Sequence, residues 1–308
     1  MFGECHAHMI MDGVNYSHAV SLHKNGVRDD LLLEKFRCYA QKEITFIRDG
    51  GDALGVSARA AALAPEFGLD YRTPLFAIHK NGHYGGIVGL GFDTMKEYAA
   101  LVRRVRQEGG DFIKVMFSGI MDFAGDGGVN QEPLARDEIR EMIHIAHEEG
   151  FAVMAHVNGA RPILHAIEAG VDSVEHGNFM DEDCLQALAE SRTVWVPTLV
   201  TIANLIGCGR FKDPVLLRLK ELQSSRIRRA FELGALVALG SDAGAFEVFH
   251  GQGLLDEYAQ FRLILGEDCR EDFPKEREDS EGFEFTVPAE ELDRRLKGAE
   301  QEIRQRFQ

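Results

Sequence analysis

Gly3-Glu4-Cys5-His6-Ala7-His8 sets two imidazoles two residues apart inside an apolar run that extends from Phe2 to Ile10. A strand repeats every two residues, so His6 and His8 project onto one face and Ala7 onto the other. Two neutral imidazoles at a strand end form half of a transition-metal site. The plain alternative is a pair of histidines on a surface strand. The rest of the chain decides between them, by whether other strands also end in ligands.

Working outward, apolar runs recur at Ile44–Arg48, Thr73–His79, Phe112–Phe117, Phe151–His156, Ser173–His176, Val194–Val200 and Leu236–Leu239. Helical patterns separate them near Leu31–Lys42, Ala53–Phe67, Thr94–Glu108, Arg136–Glu149, Pro162–Ala169, Glu182–Glu190 and Pro214–Leu233, and Leu254–Leu265 closes the series. Strand after helix in this alternation predicts an α/β fold, a (β/α)8 TIM barrel. A doubly wound open sheet has the same periodicity. The barrel is favoured because the unusual polar residues fall at the C-terminal ends of the runs, where barrel active sites sit. The chain then divides into a barrel over 1–265 and an appended charged tail over 266–308. That tail is irregular across Glu267–Glu281 and helical across Glu290–Phe307, with apolar Leu292, Leu296, Ile303 and Phe307.

Composition narrows the partners. The 308 residues carry a net charge of −16, which repels phosphate backbones and argues against nucleic acid. No apolar run approaches the roughly 18 residues of a spanning helix, so no membrane partner is expected. The five cysteines are scattered without a CxxC, and no secretory signal is legible, so a cytoplasmic protein acting on a small molecule is expected.

Lys114 lies within Phe112-Ile-Lys114-Val-Met-Phe117, an apolar strand, and a buried ammonium needs an explanation. It either snorkels or pairs with a carboxylate, or its amine is carboxylated into an anionic oxygen ligand. His156 ends Met154-Ala-His156, and His176 ends Val174-Glu-His176 one strand–helix unit later. Asp242, in Leu239-Gly-Ser-Asp242-Ala-Gly244, is a helix N-cap or a further ligand facing His6 and His8 across the seam of strands one and eight.

This pattern resembles the amidohydrolase superfamily: HxH on strand one, lysine on four, histidines on five and six, aspartate on eight. The wording of Thr45-Phe-Ile-Arg-Asp-Gly-Gly51, Ala155-His-Val-Asn-Gly159, Ala169-Gly-Val-Asp-Ser-Val-Glu-His-Gly177 and Ala238-Leu-Gly-Ser-Asp-Ala-Gly244 is similar to the imidazolonepropionase-related, prolidase-like branch. The resemblance implies a metal-dependent hydrolase with two divalent ions, zinc by default. His6, His8 and Asp242 would hold one ion, His156 and His176 the other, and carboxylated Lys114 would bridge them. It further implies amide cleavage by a metal-bridged hydroxide, with Asp242 as general base and acid, on a dipeptide, an N-acyl amino acid or a cyclic amide. A heterocycle deaminase, a lactonase or esterase, and a noncatalytic metal-binding assembly protein are the alternatives. A deaminase of this family carries a glutamate where Gly159 stands. The branch usually adds a small β-sandwich that is not legible here. The surface it covers is then left to the tail, a partner subunit in a homo-oligomer, or solvent.

Remaining polar residues are secondary. His79, His83 and Tyr84 sit in a glycine-rich loop after strand three and are candidate substrate contacts, or a plain surface turn. His144 and His147 share an outer helix face, and Arg48 and Asp49 are expected to order the barrel mouth through hydrogen bonds. Lys80, Arg161 and Arg210 are equivalent candidates for a substrate carboxylate.

Overall fold

A computed structural model describes residues 2–124, 127–266 and 285–308. The charged run Glu267–Glu281 lies outside the described residues. Among the described residues there are ten strands: β1 Glu4–Ala7, β2 Phe46–Asp49, β3 Asp70–Arg72, β4 Ala77–Lys80, β5 Gly89–Phe92, β6 Ile113–Met116, β7 Val153–Val157, β8 Ser173–His176, β9 Val194–Val196 and β10 Leu236–Val237. They make two parallel sheets, ordered β1-β2-β3 and β10-β9-β8-β7-β6-β4-β5. β1, β2, β6, β7, β8 and β9 are buried at every position, as parallel strands covered on both faces must be.

The architecture is mixed α/β, but the expected barrel sheet is not one closed ladder. Expected strand three, Thr73–His79, is extended in the sheet only from Ala77, as β4, which pairs with β6, while β3 just before it pairs with β2. Between them Pro74 has no N–H to offer a ladder, and Leu75 takes a left-handed φ of 67°. The other interruption lies beside β1. Cys5 N–H donates to Leu239 O at 3.2 Å, Asp242 N–H to His6 O at 2.8 Å, and His8 N–H to Ala243 O at 2.8 Å. These bonds tie β1 to the irregular segment after β10.

β5 is not legible in the sequence because Gly-Leu-Gly-Phe has weak strand propensity. A Cβ at Gly89 would stand 2.5 Å from Ala77 O, so the close pairing with β4 depends on glycine there. Helices follow the predicted periodicity closely at Asp29–Gln41, Met95–Glu108, Arg136–Glu148, Asp213–Glu232 and Gln252–Leu265. Thr94 and Glu97 start the second of these with a reciprocal capping box. An additional helix, Tyr16–Leu22, occupies the polar loop after β1, capped by Asn15 accepting from His18 N–H.

Helix Ala289–Arg306 packs against the strands. Leu292, Leu296, Ile303 and Phe307 are all buried. Phe307 meets Phe112 edge-on at 5.2 Å, and the Arg48 guanidinium lies 4.5 Å above the Phe307 ring. Glu300 accepts from Gly3 N–H at 2.8 Å, so this helix also fixes the start of β1. Among the described residues, no helix is long and apolar enough to cross a membrane.

Candidate metal centre

β1 delivers His6 and His8 side by side, with ring centroids 5.4 Å apart. Asp242 reaches them from the far side of the seam, its Oδ1 lying 3.6 Å from His6 Nε2 and 3.4 Å from His8 Nε2. Ligand atoms of all three fall within 4.8 Å of one another. The His176 ring lies 5.0 Å from His6 and 4.7 Å from His156. With Lys114, these six residues line one cavity of about 450 Å³, a size suited to a small ligand.

The backbone is bent to present them. His176, Thr198 and Asp242 have φ of 64°, 50° and 61°, a region costly for residues with a Cβ. The surroundings hold the bend at His176: its carbonyl accepts from Trp195 Nε1 at 3.0 Å and Gln223 Nε2 at 2.8 Å. At Asp242, the buried Glu4 carboxylate grips the preceding residue, accepting from Ser241 N–H at 2.8 Å and Ser241 Oγ at 2.6 Å. Burial pushes the Glu4 carboxyl up to about 7.

Three imidazoles commit one nitrogen to the protein and leave the other for a ligand. His6 Nδ1 donates to Glu175 Oε2 at 2.6 Å, His176 Nδ1 meets Thr198 Oγ1 at 2.8 Å, and His156 Nε2 meets Gly119 O at 3.1 Å. Such outer partners fix tautomer and ring orientation. Burial, reinforced chiefly by the Lys114 charge, holds His8 and His156 down at about 3. Burial likewise depresses His6 and His176 well below the usual histidine range. All four are therefore neutral near pH 7, the state that binds metal. Burial also pushes the Lys114 amine down and the Asp242 carboxyl up.

The donor set fits divalent metal. His6 Nε2 and Lys114 Nζ are buried polar atoms without a hydrogen-bond partner, an arrangement that a cation and an anionic lysine derivative would satisfy. Four imidazoles and a carboxylate are zinc-type ligands.

Beneath the centre lies a group built on Arg48, which the sequence placed at the mouth, and on Glu175, which the sequence did not single out. Glu175 Oε1 accepts from Arg48 Nη2 at 2.7 Å and Ser173 Oγ at 2.5 Å. Arg48 Nε also donates to Cys5 O at 2.7 Å. Arg48 and Glu175 are fully buried, so Arg48 acts beneath the centre, inside the strands. Its neighbour Asp49 does order the mouth, accepting from Met9 N–H at 2.9 Å just beyond His8.

Of the three candidate substrate contacts, Tyr84 lines the cavity, with its ring 4.9 Å from His156. His79 and His83 are not among its described lining residues; His79 Nδ1 lies 3.0 Å from Lys80 O. His144 is exposed and His147 pairs with Asp172 at 2.8 Å, both away from the cavity.

Gly50 lies directly against the His8 ring. A Cβ there would stand 2.3 Å from His8 Cε1, so Gly50→Ala must push the ring aside. We expect about a 10-fold loss of zinc affinity, in line with other outer-layer changes, measured by competition with a chelator. Unchanged affinity would mean that His8 tolerates displacement.

No protein-family profile matches the chain. An uncharacterized protein of Mycobacterium tuberculosis is 30% identical over 174 residues, 54% of this chain and 45% of that protein. Ochratoxinase of Aspergillus niger is 30% identical over 156 residues, 49% of this chain and 32% of the enzyme. The matched segments thus span less than half of these curated relatives. Among solved structures, a Xaa-Pro dipeptidase with bound methionine in its active site superposes with a TM-score of 0.67 at 22% identity, covering 85% of this chain and 70% of that one. The A. niger ochratoxinase structure gives 0.67 at 22% identity, covering 85% and 66%.

Proposed function

We propose, from the premise that this chain has the fold of prolidase and amidohydrolase proteins, that it is a metal-dependent hydrolase of amide bonds. The observation that carries this reading is the convergence of His6, His8, Lys114, His156, His176 and Asp242 on one cavity. We take residues 1–265 as a (β/α)8 barrel whose ladder is interrupted at Pro74 and beside β1, residues 266–308 as its tail, and the cytoplasm as its location.

His6, His8 and Asp242 would hold one ion, His156 and His176 a second, and Lys114 would bridge them as a carbamate. The depressed amine favours that modification, because a neutral lysine nitrogen attacks carbon dioxide and releases a proton as the N–C bond forms. Bound divalent ions, zinc by donor type, would acidify water and polarise the scissile carbonyl. Asp242 accepts the proton of the attacking water and returns it to the leaving amine nitrogen as the C–N bond breaks. Glu175 holds His6 in the tautomer that leaves Nε2 free. Tyr84 lies against the substrate beside His156. Dipeptides, N-acyl amino acids and cyclic amides are the substrates this chemistry serves.

The test is a screen of protein prepared with zinc and bicarbonate against Xaa-Pro and other dipeptides, N-acyl amino acids, lactones and aminoheterocycles. We expect turnover in an amide class. Turnover confined to lactones or aminoheterocycles would overturn the amide reading, and no turnover by fully metallated protein would overturn hydrolysis.

A further inference from the structure

Lys80, Arg161 and Arg210 are equivalent in sequence but not in space. Lys80 pairs with Glu138, and Arg161 faces solvent 3.9 Å from Glu132. Arg210 lines the same cavity as the candidate ligands. Its guanidinium lies 4.4 Å from the Phe246 ring centroid and 5.3 Å from that of Phe211, so two aromatic faces steer it. Among the described residues lining the cavity, the other side chains that carry formal charge are Lys114 and Asp242. Those two are well covered and Arg210 is exposed, so it is the cation of the rim.

Apart from Asn15, the remaining exposed residues of that rim are large and mostly apolar. Val14, Tyr16, Ile87 and Ile120 line the cavity and are exposed, Val14 by 61% and Tyr16 by 50%. Large apolar residues gathered in the open around a concave site mark a surface that a ligand covers. An anion beside Arg210 and a hydrocarbon group on this rim are complementary to the two features together.

Resting on the hydrolase reading above, we propose that the substrate is an N-acyl amino acid with a bulky apolar acyl group, and that Arg210 selects it by its carboxylate. Arg210 is a specificity residue. The amide is placed over the cavity floor, the acyl chain lies on the apolar rim, and the carboxylate accepts from the guanidinium.

Two matched pairs test this. N-octylsulfonyl-phenylalanine, which the enzyme cannot hydrolyse as an amide, and its alcohol analogue measure binding by calorimetry on zinc-loaded protein. N-octanoyl-phenylalanine and its alcohol analogue measure kcat/KM. Wild-type protein is expected to favour each acid by about 10-fold, the scale of one charge-assisted contact at a partly open site. Arg210→Met should bring that ratio near one, and Arg210→Lys should restore part of it. No preference in the wild type, or a preference that survives Arg210→Met, would overturn the proposal. Equal weakening of acid and alcohol in Arg210→Met would also overturn it, since Arg210 would then merely prop Phe246. A binding preference without hydrolysis of either amide would overturn the N-acyl amino acid as substrate and leave Arg210 as a carboxylate contact, while the hydrolase reading itself stands or falls with the wider screen.

Discussion

Asp242→Asn is expected to fold, bind the same substrates and lose about 10²- to 10⁴-fold in kcat, the range for removing a positioned general base. The substitution keeps the shape of the side chain. It also keeps the backbone bond from Asp242 N–H to His6 O at 2.8 Å, which joins this segment to β1. What it removes is an oxygen that can take a proton, 3.4 Å from His8 Nε2 and 3.6 Å from His6 Nε2. Because Asp242 is also a proposed ligand, kcat must be measured alongside metal content. A fall in kcat at full metal content assigns the loss to proton transfer. Unchanged kcat would remove Asp242 as the base.

Glu175→Gln should have the largest effect on stability. Arg48 and Glu175 are both fully buried, and neutralising one leaves the other charge without its counterion. Breaking such a pair costs about 3–5 kcal/mol, whereas replacing both partners with apolar residues costs far less. Urea unfolding should therefore show a large loss for Glu175→Gln and a partial recovery in the Arg48→Met, Glu175→Leu double variant. His6 loses its charged acceptor in either variant, so zinc affinity should fall about 10- to 100-fold even in the stable one. A single variant as stable as wild type would show that solvent reaches Arg48.

Why Glu175 escaped the sequence reading while His176 did not is a matter of what alternation reveals. A polar residue within or just beyond an apolar run points to a cavity without knowledge of the neighbouring strands, and His6, His8, Lys114, His156, His176 and Asp242 all have that signature. The structure brings these six together. The role of Glu175 depends on the cross-strand neighbours Arg48 and His6, more than a hundred positions away in the chain, and no local pattern encodes that register. The strand–helix alternation was likewise legible from periodicity. The break between β3 and β4 was signalled by Pro74, which cannot donate, yet the apolar Leu75-Phe76 that continues into Ala77 made the strand read as starting at Thr73. β5 was hidden because its glycines are selected by close approach to Ala77, not by strand propensity. The glycine-rich loop offered three polar candidates, and only folding shows that Tyr84 faces the cavity. Arg210 was indistinguishable from Lys80 and Arg161 until their ion-pair partners were known.

If the six side chains assemble a binuclear centre, as proposed, the number of bound metal ions reports it. Protein prepared with zinc and bicarbonate, then freed of loosely held ions, should contain about two ions per chain by elemental analysis. Lys114→Ala should lower that content, since the proposed bridge is gone. At most one ion in the wild type, with the same content in Lys114→Ala, would rule out a binuclear centre bridged by Lys114.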